Sequence, residues 1–266
     1  MRVGLVMAGC ASPEPVPAPL LAEAAHAVGA DADVALSARS GGRGAGPGVA
    51  EALLQLRRAG VDRAVVATTH LVAGAVHERC VHDAGRAVRL FPELLLAPPL
   101  LAGEKDVRAV ASALFAALPA RAGRALVLAG HAGEAASLAY LALEHALWAA
   151  GRTDVLVGEP EGLARAALPG DAREVLLAPL SMGLGVHARR DVLGGLRAAL
   201  EARGVGVEAR ALCLLDLPAV RVLLLDHVRE ARPVPGAGDA RAAAGAPAAP
   251  AADPPAPPAA PAPPAH

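Results

Sequence analysis

The sequence predicts an α/β protein with two similar lobes, each a parallel sheet flanked by helices, facing across a central cleft. Short apolar runs alternate with Ala- and Leu-rich segments of helical period, which is the pattern of βαβ units. The stretch VVATTHLVAGAVHERC from Val65 aligns without gaps with VLLAPLSMGLGVHARR from Val175, and VMAGCA from Val6 matches VLAGHA from Val127. Two matches in the same order indicate a duplicated lobe.

Eight strands and eight helices are predicted before residue 230. The strands are expected at residues 3–8, 34–36, 63–68, 94–97, 125–129, 154–157, 174–178 and 206–212. The helices are expected at residues 19–28, 48–59, 76–90, 104–118, 135–150, 162–168, 191–203 and 218–229. The opening MRVGLVMAGC is interpreted as the first strand and not as a signal segment, because its apolar stretch is short and only Arg2 precedes it.

Composition divides the chain into three parts. Residues 1–120 are predicted to form the N-terminal lobe, and residues 121–232 the C-terminal lobe that carries the metal site. Residues 233–266 are almost entirely Ala, Pro and Gly and contain no Leu, Ile or aromatic residue, so a disordered tail is expected. The stretch SGGRGAGPG at 40–48 lacks the GK[ST] ending of a phosphate loop and is expected to be a flexible loop.

Charge and cysteine usage exclude several classes of partner. The formal net charge is −1 and the basic residues are scattered, which argues against a nucleic-acid partner. No apolar stretch is long enough to predict a membrane helix. Cys10, Cys80 and Cys213 are widely spaced and form no CxxC pair, so neither a disulfide framework nor a zinc knuckle is predicted. We expect a cytoplasmic protein.

Histidines follow the predicted strands of both lobes. Ligands of parallel α/β sheets bind beyond the carboxyl ends of the strands, where His131 and His187 of the second lobe are expected to converge. His70 and His77 occupy the corresponding end of the first lobe, so two facing lobes would present four imidazoles to one cleft. The remaining histidines of the helical segments are expected at helix surfaces: His26, His82, His145 and His227.

A carboxylate follows another strand of the second lobe. Glu161 lies in VGEPEG, and two imidazoles with one carboxylate would suit a divalent transition metal while leaving positions open for a substrate. In the alternative interpretation Glu161 is an ordinary carboxylate of a helix N-terminus, and Glu159 is a nearby competitor. A GxSxG motif is absent from the sequence, which gives hydrolase chemistry little support.

Several segments together carry a family resemblance. LVLAGHAGEAASLAYLALEHAL, VGEPEG, LLAPLSMGLGVHARRD and LPAVRVLLLDHV resemble, in order and spacing, the anaerobic sirohydrochlorin cobaltochelatases, the two-lobed class II chelatases. The resemblance implies a lyase-type enzyme of cobalamin and porphyrin biosynthesis that inserts Co(II), its substrate metal, into the tetrapyrrole sirohydrochlorin without nucleotide or organic cofactor. It also implies His131, Glu161 and His187 as metal ligands, with His131 and His187 catalytic.

A tetrapyrrole with many carboxylates needs cations around the cleft. Arg79, Arg189 and Arg190 adjoin the repeated histidine segments, although such arginines are more often solvated surface residues. The predicted substrate-binding set is Cys10, His70, His77, Arg79, Arg189 and Arg190.

Departures from the family pattern support a second hypothesis. Ala132 and Val186 replace a glycine and an acidic residue that the family has beside its histidines. The alternative function is a non-catalytic metal- or tetrapyrrole-binding protein derived from a chelatase. The choice among Co(II), Ni(II), Fe(II) and Zn(II) stays open, and so does the oligomeric state, with a homo-oligomer as one alternative.

Overall fold

Two mainly parallel sheets organise the computed structural model, which describes residues 1–9, 16–40 and 46–234. Their strands are β1 (Val3–Gly9), β2 (Ala35–Arg39), β3 (Arg63–Thr68), β4 (Glu93–Leu96), β5 (Arg124–Ala129), β6 (Val155–Gly158), β7 (Glu174–Pro179), β8 (Gly206–Ala209) and β9 (Arg232–Pro233). All eight predicted strands are present, with small shifts of their ends. The short β9 was not predicted.

The two sheets repeat one strand order. The first sheet runs β2-β1-β3-β4-β9 and the second β6-β5-β7-β8, so the first four strands of each lobe are arranged alike. Every pairing is parallel except that of β4 with β9. The predicted duplication and the α/β fold class are therefore confirmed.

Helices connect the strands as expected for βαβ units. They are α1 (Ala18–Val28), α2 (Val49–Arg58), α3 (Ala75–Ala87), α4 (Glu104–Ala117), α5 (Glu134–Ala149), α6 (Pro160–Arg165), α7 (Arg197–Ala202) and α8 (Pro218–Arg229). A π-helix, Ala188–Leu196, precedes α7 directly. The helical segment predicted at 191–203 therefore begins at Ala188, and its first nine residues form the wider turns of a π-helix. Within the described ranges, no helix has both the length and the apolar character that crossing a bilayer requires.

Apolar residues form three buried clusters that define the layers. One cluster lies between the sheets and joins side chains of both, such as Leu5 and Leu126, with the helices α1, α4, α5 and α8. A second cluster packs α2 and α3 on the outer face of the first sheet, and a third packs α6, the π-helix and α7 on the outer face of the second. The lobes are thus held together by a shared central layer of helices.

The end of the described chain returns to the first lobe. Helix α8 packs against α1, α4 and β3, and β9 pairs with β4 through Leu95 and Pro233. Val234 is buried in the outer core of the first sheet. Residues 218–234 thus belong structurally with the first lobe, although the sequence assigned 218–232 to the second lobe and Pro233 and Val234 to the tail. The rest of the predicted tail, 235–266, lies outside the described residues.

Candidate metal site

The second lobe places two histidines where its strand order reverses. β5 pairs with β7 up to Ala129 and Pro179, so the segments that follow these strands leave the sheet side by side. His131 comes two residues after β5, and His187 begins the helical segment after β7. A strand-order reversal at the carboxyl edge of a parallel sheet is the usual ligand position in this fold class. The predicted convergence of these two histidines is observed.

The imidazole rings of His131 and His187 are stacked. Their centroids are 3.8 Å apart and their planes differ by 22°. The backbone of His131 is fixed by Tyr140, whose hydroxyl donates to the His131 carbonyl at 3.0 Å. Gly130 makes this packing possible, since a Cβ there would lie 2.1 Å from the Tyr140 hydroxyl oxygen.

Asp191 orients the second imidazole. Its carboxylate Oδ2 is 2.8 Å from Nδ1 of His187, one turn earlier in the chain. The other ring nitrogen, Nε2, is buried and makes no hydrogen bond within the described residues. Because the carboxylate holds the Nδ1 proton, Nε2 carries the free lone pair, which is the arrangement found in metal-binding histidines.

The electrostatics of the pair favour neutral imidazole. Burial lowers the pKa of His131, the neighbouring His187 lowers it further, and the more distant Asp191 carboxylate opposes both effects. The pKa of Asp191 is held below its usual value by hydrogen bonds from Arg190 and His187. The site therefore pairs a neutral His131 with a charged carboxylate behind His187, and neutral imidazole is the form that binds metal ions or accepts protons.

Glu161 does not join the histidines in this structure. It lies in the first turn of the short helix α6, where its carboxylate is largely exposed and forms an ion pair with Arg165 at 3.0 Å. Among the described residues, no three His, Cys, Asp or Glu side chains form a group that could hold a metal ion. The predicted set of His131, Glu161 and His187 is thus not assembled among the described residues, and the Glu161 carboxylate pairs with the Arg165 guanidinium one turn away instead.

The first-lobe histidines form a separate pair. His70 and His77 are both buried, and their Nδ1 atoms are 3.3 Å apart. Nε2 of His70 lies 2.7 Å from the Ser40 hydroxyl oxygen. The four imidazoles therefore form two pairs, one at the carboxyl edge of each sheet, and in the described part of the chain neither pair belongs to a group of three or more possible metal ligands. Cys10, the predicted counterpart of His131, lies outside the described residues.

A comparison with protein-family models identifies the chain. Residues 47–232 match the model of the family described as Cobalt chelatase (CbiK). The match covers well over half of the 266 residues, including His70, His77, His131, Glu161 and His187. The chain belongs to the cobalt chelatase (CbiK) family.

Solved structures share the fold of this cobalt chelatase family member. SirB from Bacillus subtilis with Fe3+ is 14% identical, with a TM-score of 0.63 over 90% of this chain and 98% of that one. The sirohydrochlorin chelatase SirB from Bacillus subtilis subspecies spizizenii, in complex with cobalt, is 17% identical, with a TM-score of 0.57 over 86% and 95%. DR2241 from Deinococcus radiodurans, a multi-domain protein with structural similarity to chelatases, is 19% identical, with a TM-score of 0.52 over 91% and 59%. These likenesses establish the two-lobed fold.

The predicted arginines are dispersed around this family member's histidines. Arg190 is exposed and pairs with Asp191, so it supports the site through that carboxylate. Arg189 donates to the Leu184 carbonyl at 2.9 Å, and Arg79 is exposed on α3. None of these three arginines lines the apolar groove between the lobes.

An apolar groove of about 750 Å³ lies between the lobes. It is bounded by α5 on one side and by α4 and the segments after β3 and β4 on the other, and it includes Leu101, Leu138 and Ala142. Its polar side chains are Glu104, Arg108 and His145. Neither His131 nor His187 lines it, but it reaches Ala135, about one helical turn beyond His131.

Three side chains that form hydrogen bonds with the histidines were not predicted. Tyr140 and Ser40 were given no role, because neither lies close to its histidine in sequence. Asp191 had a usable signal, since HARRD places a carboxylate four residues after His187 and one helical turn away. One surface assignment was wrong: His227 is buried on α8, with Nε2 3.2 Å from the Asp106 carboxylate of α4.

Proposed function

We propose that this cobalt chelatase family member inserts Co(II) into sirohydrochlorin without a nucleotide or an organic cofactor. The observation that carries the proposal is the buried, unpartnered Nε2 of His187 beside the stacked ring of His131. Family membership and the position of the pair at the strand-order reversal support it. The reaction would belong to cobalamin biosynthesis and take place in a reducing cytoplasm, consistent with the free thiols of Cys80 and Cys213.

The proposed chemistry exchanges two protons for one ion. Two pyrrole N–H groups lose their protons, and the nitrogens then bind the divalent ion, so charge balances without a redox step. His187 holds the incoming Co(II) through Nε2, because Asp191 occupies its Nδ1. His131 is held neutral by its lowered pKa and accepts one pyrrole proton, and the second proton passes to solvent water.

The macrocycle is proposed to lie in the groove between the lobes and to project beyond Ala135, so that its pyrrole nitrogens reach the His131–His187 pair outside the groove lining. The volume of the groove is within the range of small-molecule sites, and its walls are mainly aliphatic, which suits the face of a tetrapyrrole. Arg108 at the edge would bind a substrate carboxylate, although it now pairs with Glu104 of the same helix. Arg79, Arg189 and Arg190 remain proposed partners for further carboxylates.

The first test follows metallation directly. Anaerobic spectrophotometry of sirohydrochlorin with Co(II) should show rapid product formation with the wild-type protein. It should fall to the uncatalysed rate with His131→Ala/His187→Ala. His82→Ala, which changes an exposed histidine of α3, is the matched control and should keep the wild-type rate. Equal rates for the wild type and the double variant would exclude the proposal.

Glu161 is proposed as a further ligand of the Co(II) ion, beside His187, that leaves Arg165 when the ion binds. Glu161→Gln should then weaken Co(II) binding, measured by equilibrium dialysis, by about 10-fold or more. Arg165→Ala should leave binding equal or stronger, because it frees the carboxylate, and Glu159→Gln is the neighbouring control. If Glu161→Gln and Glu159→Gln bind Co(II) as the wild type does, Glu161 is not a ligand.

A non-catalytic metal- or tetrapyrrole-binding protein is the second candidate. The unassembled ligand set and the Glu161–Arg165 ion pair favour it. Turnover decides between the two: product in several-fold excess over protein requires an enzyme. Product that stops at one equivalent of protein indicates binding alone.

A further inference from the structure

Buried polar residues are concentrated at the carboxyl edge of the first sheet. The described chain has eight buried polar or charged residues, and five of them lie at this edge: Ser40, Thr68, Thr69, His70 and His77. Burying a polar group costs free energy unless a partner compensates for it. The hydroxyl oxygen of Thr68 is buried and has no hydrogen-bond partner among the described residues. Such a cluster is costly to maintain if its role is packing alone.

The imidazole rings of His70 and His77 face each other through their Nδ1 atoms. Their Nδ1 atoms are 3.3 Å apart, and their rings meet edge to face at 88°. Ser40 accepts a hydrogen bond from Nε2 of His70 when that nitrogen carries the proton. Nδ1 of His70 is then left with a lone pair on the side of the ring that faces His77. A hydrogen bond that fixes the tautomer in this way is typical of a metal-binding histidine.

The separation of the two nitrogens fits a shared ion. Two metal–nitrogen bonds of about 2.1 Å that span this distance meet at roughly 105°, close to the tetrahedral angle. Burial keeps both imidazoles neutral, and neutral imidazole suits Zn(II), Co(II) and Ni(II). The site has only two ligands from the described residues, so water would complete its coordination.

We propose that His70 and His77 bind a second divalent transition-metal ion through their Nδ1 atoms. The proposal is independent of the proposed function, since it concerns ion binding by the first lobe without a tetrapyrrole. In the sequence repeat, His77 corresponds to His187. The partner of His77 is His70, which follows β3, whereas the partner of His187 is His131, which follows β5. The first-lobe pair is nearly closed to solvent, with both residues below 9% exposed, so its ion should exchange slowly.

The test measures Co(II) alone, under anaerobic conditions, on the full-length protein. After excess ion is removed on a chelating resin, bound cobalt is counted in four proteins: the wild type, His131→Ala/His187→Ala, His70→Gln/His77→Gln and the combined variant. Replacing His70 and His77 should remove one equivalent of slowly exchanging cobalt in both backgrounds. His26→Ala/His82→Ala, which changes two exposed histidines, should remove none.

Both possible results of the cobalt measurement distinguish a metal site from a hydrogen-bonded histidine pair. Unchanged cobalt after His70→Gln/His77→Gln would overturn the proposal and leave an imidazole–imidazole hydrogen bond as the explanation of the contact. If that variant does not fold, anomalous scattering at the cobalt edge from wild-type crystals replaces it. A peak between the two Nδ1 atoms supports the site, and a peak only at His131 and His187 overturns it. Failure of the chelatase assay would leave this result unaffected.

Discussion

At the scale of single residues, the two histidine pairs differ in how their rings meet. The stacked rings of His131 and His187 hold their in-plane lone pairs in nearly parallel planes. One ion bound by both therefore requires a ring rotation. The nitrogens of His70 and His77 already converge. A site that must release its ion into a macrocycle benefits from the first geometry, whereas a site that retains its ion benefits from the second.

Asp191 is predicted to be a positioning residue for His187. Asp191→Asn removes the charged acceptor of the His187 Nδ1 hydrogen bond and allows the ring to turn, so Co(II) affinity and metallation rate should fall between about 10-fold and 100-fold. Equilibrium dialysis and the anaerobic assay measure the two effects. Glu201→Gln is the control, because it removes a surface carboxylate of α7 that pairs with Arg197 and leaves the hydrogen bond between Asp191 and His187 in place. Equal losses in both variants would mean that surface charge, and not ring orientation, matters.

The positions of His131 and His187 were predictable, because the direction of parallel strands determines where the segments that follow them lie. His131 and His187 follow adjacent parallel strands, and the sheet brings such positions together. The direction of a side chain on a helix depends on its neighbours in space. Glu161 is attracted by Arg165, and His227 is covered by α4. The Glu161–Arg165 pair has the i,i+4 spacing that the local sequence could have indicated, whereas the burial of His227 under α4 does not follow from the local sequence.

At the scale of elements, the π-helix after His187 has an unusual apolar spacing. Its core-facing residues, continued into α7, recur at every fourth position: Ala188, Val192, Leu196 and Leu200. An α-helix has 3.6 residues per turn, so this spacing drifts around it, whereas a wider turn keeps the residues on one face. A prediction from α-helical period therefore places the start of this helical segment three residues late, at Asp191 instead of Ala188.

The position of β9 predicts how far the C-terminal segment can be deleted without loss of stability. Deletion of 235–266 should leave the free energy of unfolding unchanged, since that segment has no composition for a core. Deletion of 233–266 also removes Val234, which is 2% exposed, and should cost about 1.5–3 kcal/mol. Urea unfolding of the two truncated proteins measures the difference. Identical stabilities would show that β9 contributes nothing to the first sheet.

At the scale of the whole molecule, α8 holds the lobes in one arrangement. It crosses from the second lobe to pack on α1 and α4, and its His227 contacts Asp106 in a buried pair. Composition and repeats predicted two lobes, but they could not reveal this crossing, because an amphipathic helix does not encode which sheet it will cover. The shared central core depends on that choice.

Removing the buried partner of Asp106 should destabilise this arrangement. His227→Ala leaves a carboxylate buried without its imidazole, with an expected loss of about 1–3 kcal/mol in the free energy of unfolding. Asp226→Ala changes the adjacent exposed residue, which pairs with Arg229, and should stay within about 0.5 kcal/mol of the wild type. Chemical denaturation measures both. A similar stability for the two variants would contradict the role of the pair.

The return of α8 and β9 to the first lobe also sets an order of assembly during synthesis. The four strands of the second sheet lie within one uninterrupted segment, from Arg124 to Ala209. The first sheet, although made earlier, needs residues 218–234 for its edge strand and for α8. Domains usually fold from the N-terminus as they leave the ribosome. Here the lobe synthesised first would be completed last, and the nascent N-terminal half would expose the apolar face that α8 later covers.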